Sequence, residues 1–437
     1  MSIASYKDVK STGIGWLEDV PNVWSLVPLK KLSDFVNGSA FKPVDWKESG
    51  VPIIRIENLN GSEQFNFSQE EIDSRYHVQY GDLLFGWSGN RGTSFGPFVW
   101  SRTGLHYLNQ HIFKITNLRC DQRWYYWCLK AVTAHVEQQA HGIIGMVHVT
   151  KGELGGIKAP VPSVSEQQSI ANFLDRETAK LDALIEEQKR LIELLKEKRQ
   201  SVISHAVTKG LDPSAPMKDS GVEWLGQVPA HWEVRAIKRL SPVMRGASPR
   251  PIDDPKYFDD EGEYSWVRIA DVSACGGLLY ETDQKLSLLG SSLSVCLESG
   301  SLFVSIAGSV GKPCITAVKV CIHDGFVYFP QLSIPSSFLF RIFEAGLCYG
   351  GLGKMGTQLN LNTDTIGSIF VALPPPAEII TIIDFLNSKT AQFDSLIQEV
   401  SAAIALLQER RAALISAAVT GKIDLRGLVA ADAEAAQ

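Results

Sequence analysis

The chain has 437 residues, 45% of them hydrophobic and 21% charged, which suits a globular protein with roughly two to four domains and ample core. It contains no apolar run of the ~18 residues a membrane span needs and no charged-then-apolar leader, so the expectation is a cytoplasmic protein without membrane contact. A formal net charge of −6, with no strongly basic region, excludes a uniformly cationic nucleic-acid binder; any DNA contact must come from local clusters. Seven cysteines form no C-x-x-C and no Cys/His cluster of zinc spacing, so they read as reduced thiols, some of them in the core, and no metal is expected.

In chain order, the first signal is an arm in which Gly13, Trp16, Leu17, Val20, Pro21 and Trp24 lead to Lys30 and Leu32. Gly221, Trp224, Leu225, Val228, Pro229, Trp232, Lys238 and Leu240 repeat it 208 residues later. Two tryptophans around a Val-Pro turn are expected to anchor an extended segment onto its domain. Each arm precedes a glycine, Gly38 and Gly246, and each is followed by short β-branched runs: residues 51–56 with Arg55, and 264–269 with Arg268. Strand-like segments 81–85 and 300–304 lead into two glycine-bearing loops, 86–92 and 305–312.

Residues 166–208 then carry the longest helical pattern. Apolar residues fall on two heptad columns, Ile170, Leu184 and Leu191 on one and Leu174, Leu181, Leu195 and Val202 on the other, with Gln188 interrupting the second. The stretch 378–420 copies it: Ile382 and Leu396, then Leu386, Phe393, Val400, Leu407 and Leu414. Residues 166–212 and 378–424 share 21 identities in 47 positions, including the non-seam residues Glu187, Arg199 and Thr208. A two-column apolar seam has to be covered, and a helix of roughly 60 Å needs a partner of matching length; the nearest is its own copy.

The expected organisation is therefore α/β (α+β), a tandem of two units: a first domain at 1–162, a central helix at 163–212, a second domain at 213–374, a distal helix at 375–424, and a disordered tail at 425–437. The second domain starts just after its helix, so the two helices can bury their seams on one another only antiparallel, with the domains related by a pseudo-twofold axis. The globular parts differ by insertions while the helices stay in step, as expected if the scaffold holds one partner and the domains address different targets.

Enzyme chemistry finds little support. Neither glycine loop has the G-x-x-x-x-G-K-[ST] spacing, G-x-G-x-x-G and G-x-S-x-G are absent, and no Asn-Pro-Pro-aromatic motif occurs. The histidines, among them His106, His111, His141 and His148, lack ligand spacing. No catalytic residue is assigned. Three matched loop pairs fit DNA better, each placing small hydrogen-bonding residues beside a cation: the Gly38 loop with Lys42 and the Gly246 loop with Ser248 and Arg250; Ser88, Asn90 and Arg91 with Ser309 and Lys312; and the 141–151 loop ending in Lys151 with Lys354, Thr357, Gln358 and Asn360. Glycine lets backbone amides approach phosphates, Lys and Arg add charge-assisted contacts, and Ser, Thr, Asn and Gln can read base edges.

The arm around Trp224 and Trp232, the strand-glycine segments and the helix end with Ile203, Ser204, Ala206, Val207 and Thr208 resemble the specificity subunit of type I restriction-modification enzymes over nearly the whole chain. The resemblance implies two target-recognition domains, each reading one half of a bipartite double-stranded DNA site, separated by an antiparallel coiled coil of the repeated helices. It also implies two methyltransferase subunits using S-adenosylmethionine and two restriction subunits using ATP and Mg, with no cofactor bound by this chain. The competing reading is a coiled-coil adaptor that bridges two partner subunits without touching DNA.

Overall fold

A computed structural model describes residues 4–139, 146–350, 352 and 361–426. Two compact units emerge, residues 1–188 with 402–437 and residues 189–401, so each unit combines one globular domain with parts of both long helices. The helices run Val164–Lys209 and Pro376–Thr420.

In the first unit an antiparallel sheet has the strand order Gly96–Val99, Leu83–Gly86, Ile112–Thr116, Asp34–Asn37. A second sheet orders Asn66–Ser68, Val51–Ile54, His106–Leu108 and His77–Val78, with 51–54 parallel to 106–108. Helix Gln122–Gln139 covers the first sheet with Trp124, Tyr125 and Leu129, all fully buried. Close packing is enforced at Gly96, where an added Cβ would lie 2.9 Å from the Thr133 hydroxyl on that helix. The second unit repeats the plan: Met244–Arg245, Phe326–Tyr328, Leu302–Ser305, Pro313–Thr316 and Leu278–Leu279 in one sheet, and Lys285–Leu286, Tyr264–Val267, Val320–Ile322 and Val295–Leu297 in the other. Arg55 and Arg268 do not continue their strands; each starts a short helix, its N–H accepted by the side chain of Asn58 or Asp271.

The repeated arms are packing anchors, as expected. Trp24 and Trp232 are buried, and their indole N–H groups donate to matched glutamates in the first turn of a long helix, Glu166 at 3.4 Å and Glu378 at 3.1 Å. The opposite helix end closes on the same anchor. Gly421, just past the distal helix at φ +73°, would bring a Cβ within 2.4 Å of Pro21, and Gly210, past the central helix at φ +75°, would bring one to 3.1 Å from Trp232. Such positions require glycine twice over, for the left-handed backbone and for the space. Leu425 is buried in the first core and the Asp424 N–H donates to Ala4 at 2.7 Å, so the expected disordered tail is in part structured; residues 427–437 lie outside the described residues.

The helix seam is one residue away from the expectation in one column. Leu174, Leu181, Leu195 and Val202, and the second-copy residues Leu386, Phe393, Val400, Leu407 and Leu414, are buried or half-buried. Leu184, Leu191 and Leu396 are instead 44%, 39% and 45% exposed. The other column is Ala171, Thr178, Ile185, Ile192, Arg199 and Ala206, copied as Ile383, Thr390, Ile397, Ile404, Arg411 and Ala418. Ile170 and Ile382 are buried in the domain cores. The ambiguity is physical: Leu184 and Ile185, like Leu191 and Ile192, put apolar side chains on adjacent columns, and a period near 3.5 does not choose between them. Inside the first unit Arg411 makes a bidentate pair with Asp182, at 2.7 and 3.1 Å, while Ile170 and Leu174 share a core with Ile415 and Val419. In the second unit the matching pair is Arg199 with Asp394 at 3.0 Å.

Candidate nucleic-acid interface

In each domain the antiparallel register brings two of the candidate loops together at one end of the sheet. Strands 34–37 and 83–86 both run against 112–116, with Asn37 opposite Phe113 and Gly86 opposite Ile112, so the loops after Asn37 and Gly86 leave beside the turn before Ile112. Gly38 makes this crossing possible: its N–H donates to Ile112 at 3.1 Å, and a Cβ there would overlap the Asn109 carbonyl at 2.2 Å. Ser88–Asn90 pairs with Met146–His148, which brings Asn90 opposite Met146, while Lys151 follows beyond the Ser88 end of this pair and starts helix Lys151–Gly156. The second domain repeats the device with Gly246, whose N–H donates to Phe326 at 2.9 Å and whose Cβ would overlap the His323 carbonyl at 2.2 Å.

Local hydrogen bonds set the loops. Ser94 Oγ accepts the Asn90 N–H at 2.8 Å, and Glu137 accepts the Gly92 N–H at 3.0 Å, which turns the chain at Arg91. Lys42, Asn90, Arg91 and Lys151 are exposed, while Ser88 is half-buried. In the second domain the buried Ser305 hydroxyl accepts the Lys312 N–H at 3.1 Å and donates to the Ser309 carbonyl, leaving the Lys312 side chain in solvent. Ser309 Oγ accepts from Ser273 at 3.1 Å. Ser248 donates to Asp324 at 3.4 Å, and Arg250 pairs with the same carboxylate at 3.1 Å. Lys354, Thr357, Gln358 and Asn360 lie outside the described residues.

Sequence patterning missed two groups on these edges. Trp87 packs against His148, His111 and Phe113, with centroids at 4.8, 5.5 and 5.7 Å, and its indole N–H donates to the Gln110 carbonyl at 3.0 Å. Asp324 stands at the tip of the turn matching Gln110 and collects Arg245, Ser248 and Arg250. Single residues of ordinary type carry no periodic signal; only the register reveals their neighbours. His323 next to Asp324 accepts the Gly325 N–H at Nδ1, 2.9 Å, and burial holds its pKa below the usual histidine range, so it is neutral at pH 7. The Asp324 charge is therefore met by the arginines.

Such edges can bind and discriminate: backbone amides, cations and short polar side chains share a surface. Among the described residues no group of three or more His, Cys, Asp or Glu could hold a metal, and no helix is long and apolar enough to cross a membrane.

Comparison with known proteins agrees with this architecture. Residues 21–194 match the family model of the type I restriction modification DNA specificity domain. The type I restriction enzyme MjaVIII specificity subunit of Methanocaldococcus jannaschii is 24% identical over 94% of this chain and 95% of its own length. The EcoBI specificity subunit of Escherichia coli is 26% identical over 46% of this chain, and that match spans 42% of the relative. A solved chain from work on complex assembly and conformational transition of the type I R-M system superposes with a TM-score of 0.70 at 15% identity, covering 92% of this chain and 99% of that one, a likeness of fold. With its paired domains, repeated helices and duplicated anchors, the chain is similar over nearly its whole length to specificity subunits of type I restriction-modification systems.

Proposed function

We propose that this chain is the DNA-recognition subunit of its system, each domain reading one half of a bipartite duplex site. The observation that carries the proposal is the pair of equivalent sheet edges, built on matched glycines Gly38 and Gly246, that present different side chains. A shared frame with divergent tips is what two different half-site words require. Lys42, Arg91, Lys151 and Lys312 would supply phosphate contacts, and Ser88, Asn90, Ser248 and Ser309 polar contacts to the groove. Lys354, Thr357, Gln358 and Asn360 would supply further DNA contacts of the second domain.

The long helices would pair as one antiparallel coiled coil that fixes the spacing of the half-sites. Exposed leucines at matched positions, Leu184 with Leu396 and Leu194 with Leu406, suit the docking of two copies of a partner, which we take to be methyltransferase subunits. Catalysis would then belong to those subunits with S-adenosylmethionine, and to two restriction subunits with ATP and Mg, in the cytoplasm. The test is binding of the chain, assembled with its methyltransferase subunit, to duplex DNA across a salt series. Recognition predicts affinity that falls steeply with salt and depends on sequence; an adaptor that never touches DNA would add neither property to the methyltransferase alone.

A further inference from the structure

The second domain's edge holds a charge arrangement that decides what Arg250 can bind. Arg250 is exposed on its loop, with 70% of its side-chain surface in solvent, and its Nη2 lies 3.1 Å from Asp324 Oδ2. The same carboxylate receives Ser248 Oγ at 3.4 Å and faces the Arg245 guanidinium at 4.0 Å, while the Arg245 Nε donates to the Asp324 carbonyl. Asp324 is itself 43% exposed, so its charge is felt by any ligand arriving at Arg250. Asp324 offsets one of the two arginine charges here: a carboxylate about 5 Å from a phosphate, even with the dielectric of water, takes roughly a factor of four from the affinity that the arginines would otherwise give it. The major-groove edge of guanine has no net charge. It offers two acceptors, O6 and N7, in the spacing of the guanidinium fork. A carboxylate on one side of the fork also fixes the plane of the guanidinium, which a base contact needs and a phosphate contact does not.

We infer that Arg250 reads a guanine in the half-site of the second domain and that Asp324 is its positioning residue. The inference rests on the proposal that this domain binds DNA. It separates Arg250 from Lys312, which is exposed on the neighbouring loop and remains a phosphate contact. The first domain has Gln110 at the equivalent turn tip, so its word is read by other chemistry.

The experiment uses the full chain assembled with its methyltransferase subunits and a duplex library randomised over both half-sites, with wild type, R250A, R250K and D324N, each checked by its thermal melt. Wild type should select a G·C pair at one or more positions of the second word. R250A and R250K should both lose discrimination at one such position, by about tenfold or more, with the first word unchanged; R250K should retain most of the overall affinity, because it keeps the charge and loses the fork. D324N should weaken discrimination at the same position and raise affinity for unrelated duplex. A second word without any G·C pair overturns the inference. So does a uniform loss of affinity in R250A with the salt slope reduced by about one, and so does unchanged selection by D324N. A wild-type complex with no sequence preference would sink the recognition proposal itself, and this inference with it.

Discussion

Replacing Gly421 by alanine tests whether the end of the distal helix closes on the first domain's anchor. Gly421 has φ +73°, and a Cβ there would meet Pro21 Cδ at 2.4 Å, Pro21 Cγ at 2.6 Å and Trp24 Cζ3 at 3.1 Å. Gly346, which ends helix Ser336–Ala345, shares the φ of +73° but has nothing within 4 Å of its Cβ position. Forcing alanine into the left-handed region costs about 1–2 kcal/mol at both sites, so that cost cancels in the comparison. What remains at Gly421 is overpacking against a proline ring and a fully buried indole, worth a further ~1–3 kcal/mol. Urea unfolding of both variants, followed by tryptophan fluorescence and analysed as separate transitions for the two units, gives the difference. Equal destabilisation by the two substitutions would refute the closure of the helix end on Trp24.

Other substitutions follow from the same geometry. Ile185→Ala should destabilise by about 2–4 kcal/mol and Leu184→Ala by less than about 1 kcal/mol, because Ile185 is 6% and Leu184 44% exposed; chemical denaturation compares them, and the reverse order would restore the other seam column. Arg411→Ala and Asp182→Ala should be non-additive, since the two side chains form a bidentate pair, half-buried on the arginine side; a double-mutant cycle with no coupling would remove the pair from the account. Inserting four residues near Glu193, exposed and off the seam, should lengthen the unread gap by about one to two base pairs and leave both words intact, as read from the methylome of the host. An unchanged gap would show that the helices do not set the spacing.

Much of the architecture was legible because the chain states it twice. The arms, the two long helices and the matched glycine loops repeat at nearly constant offsets, and burial of Trp24 and Trp232 against Glu166 and Glu378 is the physical content of that repeat. The seam was legible in one column and displaced in the other, where adjacent apolar residues left the choice to tertiary packing. The candidate loops could be named from the sequence because glycine and charge leave a pattern along the chain. Asp324 and Trp87 were not: the first gains meaning from Arg245 and Arg250, 79 and 74 residues away, and the second from a turn and a strand distant in sequence. Leu425 was hidden in an acidic, alanine-rich stretch whose composition favours solvent.

The central claim is that each domain reads one half-site independently. It is tested most directly by exchanging residues 1–160 for the corresponding segment of a relative with a known word and sequencing the methylome of a host carrying the hybrid. The account predicts one half of the methylated site replaced by the donor's word, with the other half and the gap unchanged; a hybrid that alters both halves, or neither, would contradict it.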